Sequence, residues 1–142
     1  MADFRFYHEV QARYGDLDPQ GHVNNARYFT YMEMARIVYF RDLGLWSTDS
    51  FINLGVILAD IHISFKASIQ FAQRLRVGAR VSRIGNKSMT MDNVLEDLDG
   101  RLLYATGTST LVAYDYRLGA SVPISDEWRQ KIIAFEDFLP EP

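Results

Sequence analysis

Two carboxylates and an imidazole lie close together near the start of the chain. They belong to Asp16, Asp18 and His22, within a segment that runs from Gly15 to Tyr28. A carboxylate can attack a carbonyl carbon directly or draw a proton from water, and an imidazole with an ordinary pKa near 6.5 can act as an acid, as a base or as a structural hydrogen-bonding group. Because the stretch from Gly15 to Gly21 is rich in glycine and aspartate and contains Pro19, it is expected to form a turn that brings these side chains close together.

A long helix is predicted to begin directly after this turn. The stretch from Asn24 to Leu43 contains no glycine or proline, Asn24 or Asn25 can cap its start, and Gly44 suits its end. The first backbone N–H groups of a helix lack intrahelical partners and carry a partial positive charge. Such donors can polarise a carbonyl and stabilise the oxyanion that forms on attack. A carboxylate beside oxyanion donors is the minimum arrangement for acyl transfer.

The remaining elements must position this segment. Alternating apolar residues predict one strand before the turn, from Phe4 to Tyr14. After the helix the pattern predicts four further strands and a short terminal helix, at Ile61–Phe65, Leu75–Val81, Lys87–Leu98, Arg101–Tyr116 and Ser125–Phe138. Asp99-Gly100 is a hairpin signal, and short connections favour an antiparallel sheet. Because the long helix is apolar almost all round, we expect other elements to wrap it.

Size and composition limit what this fold can be. With 142 residues, 48% of them hydrophobic, residues 1–142 are predicted to form a single α+β domain, a curved antiparallel sheet around one central helix. There is no cysteine, and His8, His22 and His62 lack metal-site spacing, so we expect no metal. A net charge of −3 and the lack of a long apolar run argue against nucleic-acid or membrane partners. A start without signal-peptide character makes a cytoplasmic location the expectation.

The segment from Asp18 to Tyr28, Asp-Pro-Gln-Gly-His-Val-Asn-Asn-Ala-Arg-Tyr, resembles the signature of hotdog-fold acyl thioesterases. The resemblance is to the 4-hydroxybenzoyl-CoA thioesterase family and to bacterial acyl-CoA thioesterases that carry His-Val-Asn-Asn. The predicted order of elements also resembles the hotdog pattern over nearly the whole chain. The resemblance implies hydrolysis of an acyl thioester to a free acid and coenzyme A. It implies a homodimer or homotetramer with its site between subunits, and no cofactor beyond the coenzyme A of the substrate.

The same resemblance assigns roles to individual residues. It implies that Asp18 is the catalytic nucleophile or general base and that the Asn25 backbone N–H polarises the thioester carbonyl. It implies a catalytic role for His22, as in plant acyl-carrier-protein thioesterases, although Gln20 stands where those enzymes have asparagine. Tyr28 is expected to be a wall of the substrate pocket.

Positive charge is concentrated in one part of this acidic protein. Between Asp60 and Asp92 there is no acidic residue, whereas six basic residues occur there, Lys66, Arg74, Arg76, Arg80, Arg83 and Lys87. Such a cluster can attract the phosphates of coenzyme A, or it can be a solvated strand face that protects a sheet edge. Lys87 and Ser88, in the turn that begins at Gly85, are assigned to nucleotide binding. The paired arginines of hydroxybenzoyl-type thioesterases are not reproduced there.

Structural interpretations stand beside the functional ones. Asp16 is expected to be a turn residue that hydrogen-bonds nearby backbone. Asn24, assigned to substrate binding, is also a candidate helix cap, and Glu33 with Arg36 suits a structural ion pair. Glu33 is also a weak functional candidate, since related dehydratases use helix acids. The hydrophobic residues that follow the long helix suit an acyl pocket or plain core packing; they are Leu45, Trp46, Phe51, Ile52 and Leu54.

Three other functions remain open at this point. A hotdog enoyl-thioester hydratase or dehydratase would use the same fold and class of ligand, but it needs a paired histidine and acid, and the predicted helix contains no histidine. A non-catalytic acyl-CoA-binding protein would be stabilised by coenzyme A without turnover. A nucleic-acid binder would show strongly salt-dependent binding.

Overall fold

The computed structural model describes residues 4–137 of the chain. In chain order its elements are β1 (Phe6–Gln11), α1 (Asn25–Asp42), β2 (Val56–Phe65), β3 (Arg74–Ile84), β4 (Ser88–Asp97), β5 (Leu103–Asp115), β6 (Ala120–Ser121) and α2 (Asp126–Glu136). Short 3-10 turns occur at Tyr14–Asp16 and Phe51–Leu54. The predicted order of strand, long helix, four strands and short helix is therefore confirmed for the described residues.

The strands form one antiparallel sheet in the order β1-β3-β4-β5-β2. Phe6 lies opposite Ala79 on β3, and at the other edge Phe65 of β2 lies opposite Ala105 on β5. The two-residue β6 pairs with the end of β5. The turn at Asp97–Gly100, where Gly100 has φ +72°, connects β4 to β5 as the Asp-Gly signal predicts.

Helix α1 packs against the sheet through one side, and the apolar residues that face the sheet are almost fully buried; they are Tyr28, Tyr31, Met32, Ala35, Tyr39 and Phe40. Gly107 on β5 makes part of this contact possible, because a Cβ at that position would collide with the end of the Met32 side chain. Packing of this kind explains why a helix with apolar residues in so many positions is stable here.

Several details differ from the sequence-based expectations, among them the start of β2, which lies at Val56 and not at Ile61. The wrapping of α1 is incomplete in a single chain, since Phe29 and Met34 are 36% and 51% exposed. The first strand ends at Gln11 because the chain turns into a 3-10 helix at Tyr14. The short strand β6 was not predicted. The predicted helix end at Phe138 lies outside the described residues.

Candidate active site

The residues from Asp16 to Asn24 fold into a small antiparallel loop, called here the clip. The carbonyl of Asp16 accepts a hydrogen bond from the Asn24 N–H at 2.9 Å, Leu17 and Val23 form a β-bridge, and the Asp18 N–H donates to the His22 carbonyl at 3.0 Å. The clip is joined to the segment between β2 and β3, because the Val23 N–H donates to the Ile69 carbonyl at 2.9 Å. The segment that connects β1 to α1 is thereby folded back on itself, and Asp16 pairs with the residue that precedes α1.

The tip of the clip follows directly from its sequence. The Asp18 carbonyl accepts the Gly21 N–H at 2.9 Å, which closes a four-residue turn with Pro19 in its second position. Aspartate first, proline second and glycine fourth is the preferred composition of a type I turn. Gly21 has φ +83°, a left-handed conformation that favours glycine.

The Asp18 carboxylate is half-buried and only partly engaged. Its Oδ1 accepts the Gln20 N–H at 2.9 Å, so the side chain also stabilises the turn. Its Oδ2 has no hydrogen-bond donor within residues 4–137. One carboxylate oxygen therefore remains available to a ligand or to water.

The start of α1 supplies the other half of the arrangement. Asn24 is the N-cap, and its side-chain oxygen accepts the Ala26 N–H at 2.9 Å. The capping interpretation of Asn24 is therefore confirmed, and its assignment to substrate binding stays a prediction. The Asn25 N–H has no acceptor in the part of the chain that the structure describes. An unpaired amide at a helix N-terminus is a suitable donor to a carbonyl oxygen or an oxyanion.

Asp16 begins the clip, two residues before Asp18. Its side chain has no exposed surface, and it accepts hydrogen bonds from the Tyr31 hydroxyl at 2.6 Å, the Arg13 N–H at 3.0 Å and the Arg13 Nη2 at 3.1 Å. The Arg27 Nε lies 3.8 Å away. Burial opposes ionisation, but the hydrogen bonds from Tyr31 and Arg13 outweigh it and hold the pKa of Asp16 below its usual value.

The expectation that Asp16 hydrogen-bonds nearby backbone is confirmed by its bond to the Arg13 N–H. The bond to Tyr31, fifteen residues away, was missed. A buried aspartate in a turn gives no sequence signal that names a distant partner, although a tyrosine two turns into the following helix is a possible one.

His22 and Tyr28, the other two predicted site residues in this region, differ in their exposure and contacts. The His22 side chain is exposed and makes no hydrogen bond within residues 4–137, so its catalytic role stays a prediction. Tyr28 is 2% exposed, donates its hydroxyl to the Ala67 carbonyl at 3.0 Å and packs edge-on against Phe65. Its expected role as a pocket wall stays a prediction.

Lys87 and Ser88 are far from Asp18 within one chain. They follow the end of β3 at Ile84, whereas the clip contacts the segment that leads into the start of β3. Eleven residues of strand separate these ends, about 35 Å at the usual rise per residue. One chain therefore does not bring the assigned nucleotide residues together with the carboxylate.

Half of the basic cluster is paired with carboxylates of neighbouring strands. Arg74 pairs with Glu9, Arg76 with Glu96 at 3.1 Å and Arg80 with Asp92 at 3.7 Å. These three support the structural interpretation of the cluster. The other three members make no ion pair within residues 4–137; they are Lys66, Arg83 and Lys87.

Two cavities open near the other end of α1. One, of about 260 Å³, lies between the 3-10 turn at Phe51–Leu54, the end of β5 and the start of α2. The other, of about 390 Å³, is lined by Glu33, Arg36 and apolar residues that include Phe40. The expected Glu33–Arg36 ion pair is present at 3.6 Å. Neither cavity is lined by Asp18 or Asn25.

The residues that follow α1 divide between core and surface. Leu45, Trp46 and Leu54 are buried, whereas Phe51 and Ile52 are 69% and 59% exposed. Phe51 lines the larger cavity and Ile52 the smaller one, while Leu54 lines both. Core packing is therefore confirmed for the buried three, and the acyl-pocket interpretation stays a prediction.

Comparison with known proteins gives the chain a family. The sequence profile of the Thioesterase-like superfamily matches residues 12–132, which include the clip, all of α1 and most of the sheet. The chain belongs to this superfamily. Its α+β fold is the hotdog fold, as predicted.

Two similar proteins carry thioesterase names. The Long-chain acyl-CoA thioesterase FadM of Escherichia coli (strain K12) is 25% identical over 130 residues, 87% of this chain and 94% of that protein. A crystal structure of a thioesterase complexed with coenzyme A and Zn, from Thermus thermophilus, is 31% identical with a TM-score of 0.85 and covers 98% of this chain and 99% of that one. Protein YsmA of Bacillus subtilis (strain 168) is 27% identical over 132 residues, 93% of this chain and 88% of its own.

Two further features are absent from the described part of this thioesterase-like chain. Residues 4–137 contain no group of three or more histidine, aspartate or glutamate side chains placed to hold a metal ion. No helix among them is long and apolar enough to cross a bilayer.

Proposed function

We propose that this protein is an acyl-CoA thioesterase in which Asp18 and the Asn25 N–H act on the same thioester. The carrying observation is that the clip carries a carboxylate oxygen of Asp18 without a donor among the described residues and leads directly into the unpaired amide of Asn25 at the start of α1. The superfamily membership and the names of the two similar thioesterases support the class of reaction.

The proposed reaction needs only a few groups. The thioester carbonyl oxygen accepts a hydrogen bond from the Asn25 N–H, which stabilises negative charge as it develops. Asp18 either attacks the carbonyl carbon to form a mixed anhydride, which water then hydrolyses to the free acid and the Asp18 carboxylate, or it removes a proton from a water molecule that attacks the carbonyl carbon. The sulfur leaves with its bonding electrons and is protonated to give coenzyme A. No metal or redox cofactor takes part in this proposal, and the coenzyme A comes with the substrate.

A homodimer or homotetramer is part of the same proposal. Strand β2 forms one edge of the sheet and presents Leu58 and Phe65, each 42% exposed, and Phe29 of α1 is 36% exposed. A ten-residue edge strand with exposed apolar side chains favours pairing with another chain. A second subunit would add walls to the open clip, and it could supply the Lys87–Ser88 turn that one chain holds about 35 Å away. We propose a cytoplasmic location and no nucleic-acid partner.

The test is a thiol-release assay over a panel of acyl-CoAs with short, long, branched and aromatic acyl groups. Steady release of free coenzyme A from at least one member is expected, with sedimentation showing an assembly larger than one chain. Thermal stabilisation by coenzyme A without release from any member would contradict the enzyme and support an acyl-CoA-binding protein. Hydration of an enoyl-CoA without hydrolysis would support the hydratase alternative.

A further inference from the structure

We propose that Asp16 is a positioning residue for the reaction at Asp18 and Asn25, acting through its bond to Tyr31; this rests on the proposed function. Asp16 cannot touch a substrate, because its side chain is fully buried. Its carboxylate and its carbonyl instead connect the two halves of the site.

The carboxylate of Asp16 joins three segments of the chain. It accepts from Tyr31 in the second turn of α1 and from the backbone and side chain of Arg13, two residues after the end of β1. A turn aspartate that served only its own loop would need no partner on the helix. The Tyr31 contact, with a heavy-atom separation of 2.6 Å, therefore fixes the clip against the body of α1.

The carbonyl of the same residue holds the other side of the clip. It accepts the Asn24 N–H at 2.9 Å, and the next residue carries the unpaired amide of Asn25. Asp18 follows Asp16 by two residues on the same arm of the clip, and Asn24 lies on the opposite arm. A shift of Asp16 would therefore change the separation between the carboxylate that attacks and the amide that stabilises the oxyanion, and a displacement of about 1 Å at reacting groups can cost about a hundredfold in rate.

This connection does not titrate in the range where the enzyme would work. Burial together with the hydrogen bond to Asp16 raises the pKa of Tyr31 far above neutrality, so its hydroxyl remains a donor. The lowered pKa of Asp16 keeps the acceptor charged.

Helix α1 offers a matched control for the test. Tyr39 lies eight residues after Tyr31, is fully buried and donates its hydroxyl to the Glu136 carboxylate at the same distance of 2.6 Å. Tyr31→Phe and Tyr39→Phe therefore remove equivalent bonds from one helix. Both variants should lower the unfolding temperature, because each leaves a buried carboxylate one hydrogen bond short.

The two variants should differ in catalysis. With the acyl-CoA that the wild type hydrolyses best, Tyr31→Phe is expected to lower kcat by about tenfold or more while KM stays within about twofold, because positioning affects the reacting atoms and not the binding of the acyl-CoA. Tyr39→Phe should leave kcat within about twofold of the wild type. Equal losses of kcat in the two variants would show a general effect of stability and would overturn the proposal.

A second variant keeps the test independent of Tyr31. Asp16→Asn preserves the size of the side chain but removes its charge, and it too should lower kcat at nearly constant KM. Because both changes weaken one connection, the double variant should be little slower than the slower single variant. Effects that multiply would overturn the proposal. A wild type without hydrolysis would instead overturn the proposed function, and the positioning role with it.

Discussion

Helix α1 makes two buried hydrogen bonds from a tyrosine to a carboxylate, and each bond connects the helix to a different segment of the chain. Tyr31 donates to Asp16 and Tyr39 donates to Glu136, both at 2.6 Å. The tyrosines are eight residues apart, about 12 Å along the helix axis. The partners differ, since Asp16 belongs to the loop before the helix and Glu136 is the last residue of α2.

The two carboxylates also differ in charge environment. Burial opposes ionisation of both, but at Asp16 the bonds from Tyr31 and Arg13 outweigh it and the pKa falls. At Glu136 burial dominates and the pKa rises, although Tyr39 and the Val81 N–H at 3.0 Å both donate to it. The same kind of bond therefore contacts a carboxylate with a lowered pKa at one end of α1 and a carboxylate with a raised pKa at the other.

The surroundings of the two bonds show what each is for. Aromatic rings fill the space near Tyr39. The ring centroids of Tyr39 and Phe135 are 5.8 Å apart, and those of Phe40 and Trp128 are 5.0 Å apart. Near Tyr31 the chain leaves groups unfilled, namely one oxygen of Asp18 and the amide of Asn25. We infer that the C-terminal half of α1 fastens α2 to the core, and that the N-terminal half fixes the clip, which carries Asp18 and leads into Asn25.

The largest expected effect comes from Asp18 itself. Asp18→Asn should lower the hydrolysis rate by at least about 10³-fold, because the amide can neither attack nor accept a proton. Its turn should survive, since an amide oxygen can still accept the Gln20 N–H. The measurement is thiol release, with circular dichroism to confirm the fold.

Asp115→Asn is the matched control for this change. Asp115 accepts the N–H of the residue two positions on, at 2.8 Å, as Asp18 does at 2.9 Å, but it lies at the other end of the sheet. It should keep the wild-type rate. An Asp18→Asn enzyme with normal activity would remove the carboxylate from the proposed reaction.

The next largest effect tests the amide at the helix start. Asn25→Pro deletes the N–H, and proline is well tolerated in the first position of a helix. Asn24 already has φ −64° and ψ 141°, which is compatible with a following proline. The rate should fall by about 10²- to 10³-fold, as for the loss of an oxyanion donor.

Asn25→Ala is the companion variant, because it removes the side chain and keeps the amide. Its rate should stay within about threefold of the wild type. Equal losses in the proline and alanine variants would assign the effect to the side chain and contradict the main-chain donor.

How much of this could be read from the sequence depends on how local each feature is. The bounds of α1 and the turn at Asp18–Gly21 follow from neighbouring residues, so Asn24, Pro19 and Gly21 predicted them. The bond from Asp16 to Tyr31 depends on how the clip folds onto the helix. The distance of Lys87 from Asp18 depends on the path of β3. No local sequence pattern encodes either of these two features. Whether the exposed side of α1 is covered depends on a second chain, which one sequence pattern does not describe.

The smallest expected effect concerns the pH dependence of stability, where the two carboxylates should act with opposite sign. The lowered pKa of folded Asp16 means that the unfolded chain binds more protons there, so its stabilising contribution is present above the unfolded pKa and is lost as the pH falls through the folded pKa. The raised pKa of Glu136 means that the folded chain binds more protons at this residue than the unfolded chain does. The contribution of Glu136 to the free energy of unfolding therefore increases as the pH falls through the folded pKa.

Urea unfolding between about pH 2 and pH 7 at constant ionic strength measures both contributions, because the range extends well below the ordinary aspartate pKa; Asp16→Asn and Glu136→Gln are the two references. As the pH falls, the free energy of unfolding of the wild type should decrease relative to Asp16→Asn and increase relative to Glu136→Gln. Each amide is close in size to the acid it replaces, so the differences report the protons and not the packing. Slopes of the same sign would mean that the two ends of α1 hold their carboxylates in the same way, and the contrast between the lowered pKa of Asp16 and the raised pKa of Glu136 would be wrong.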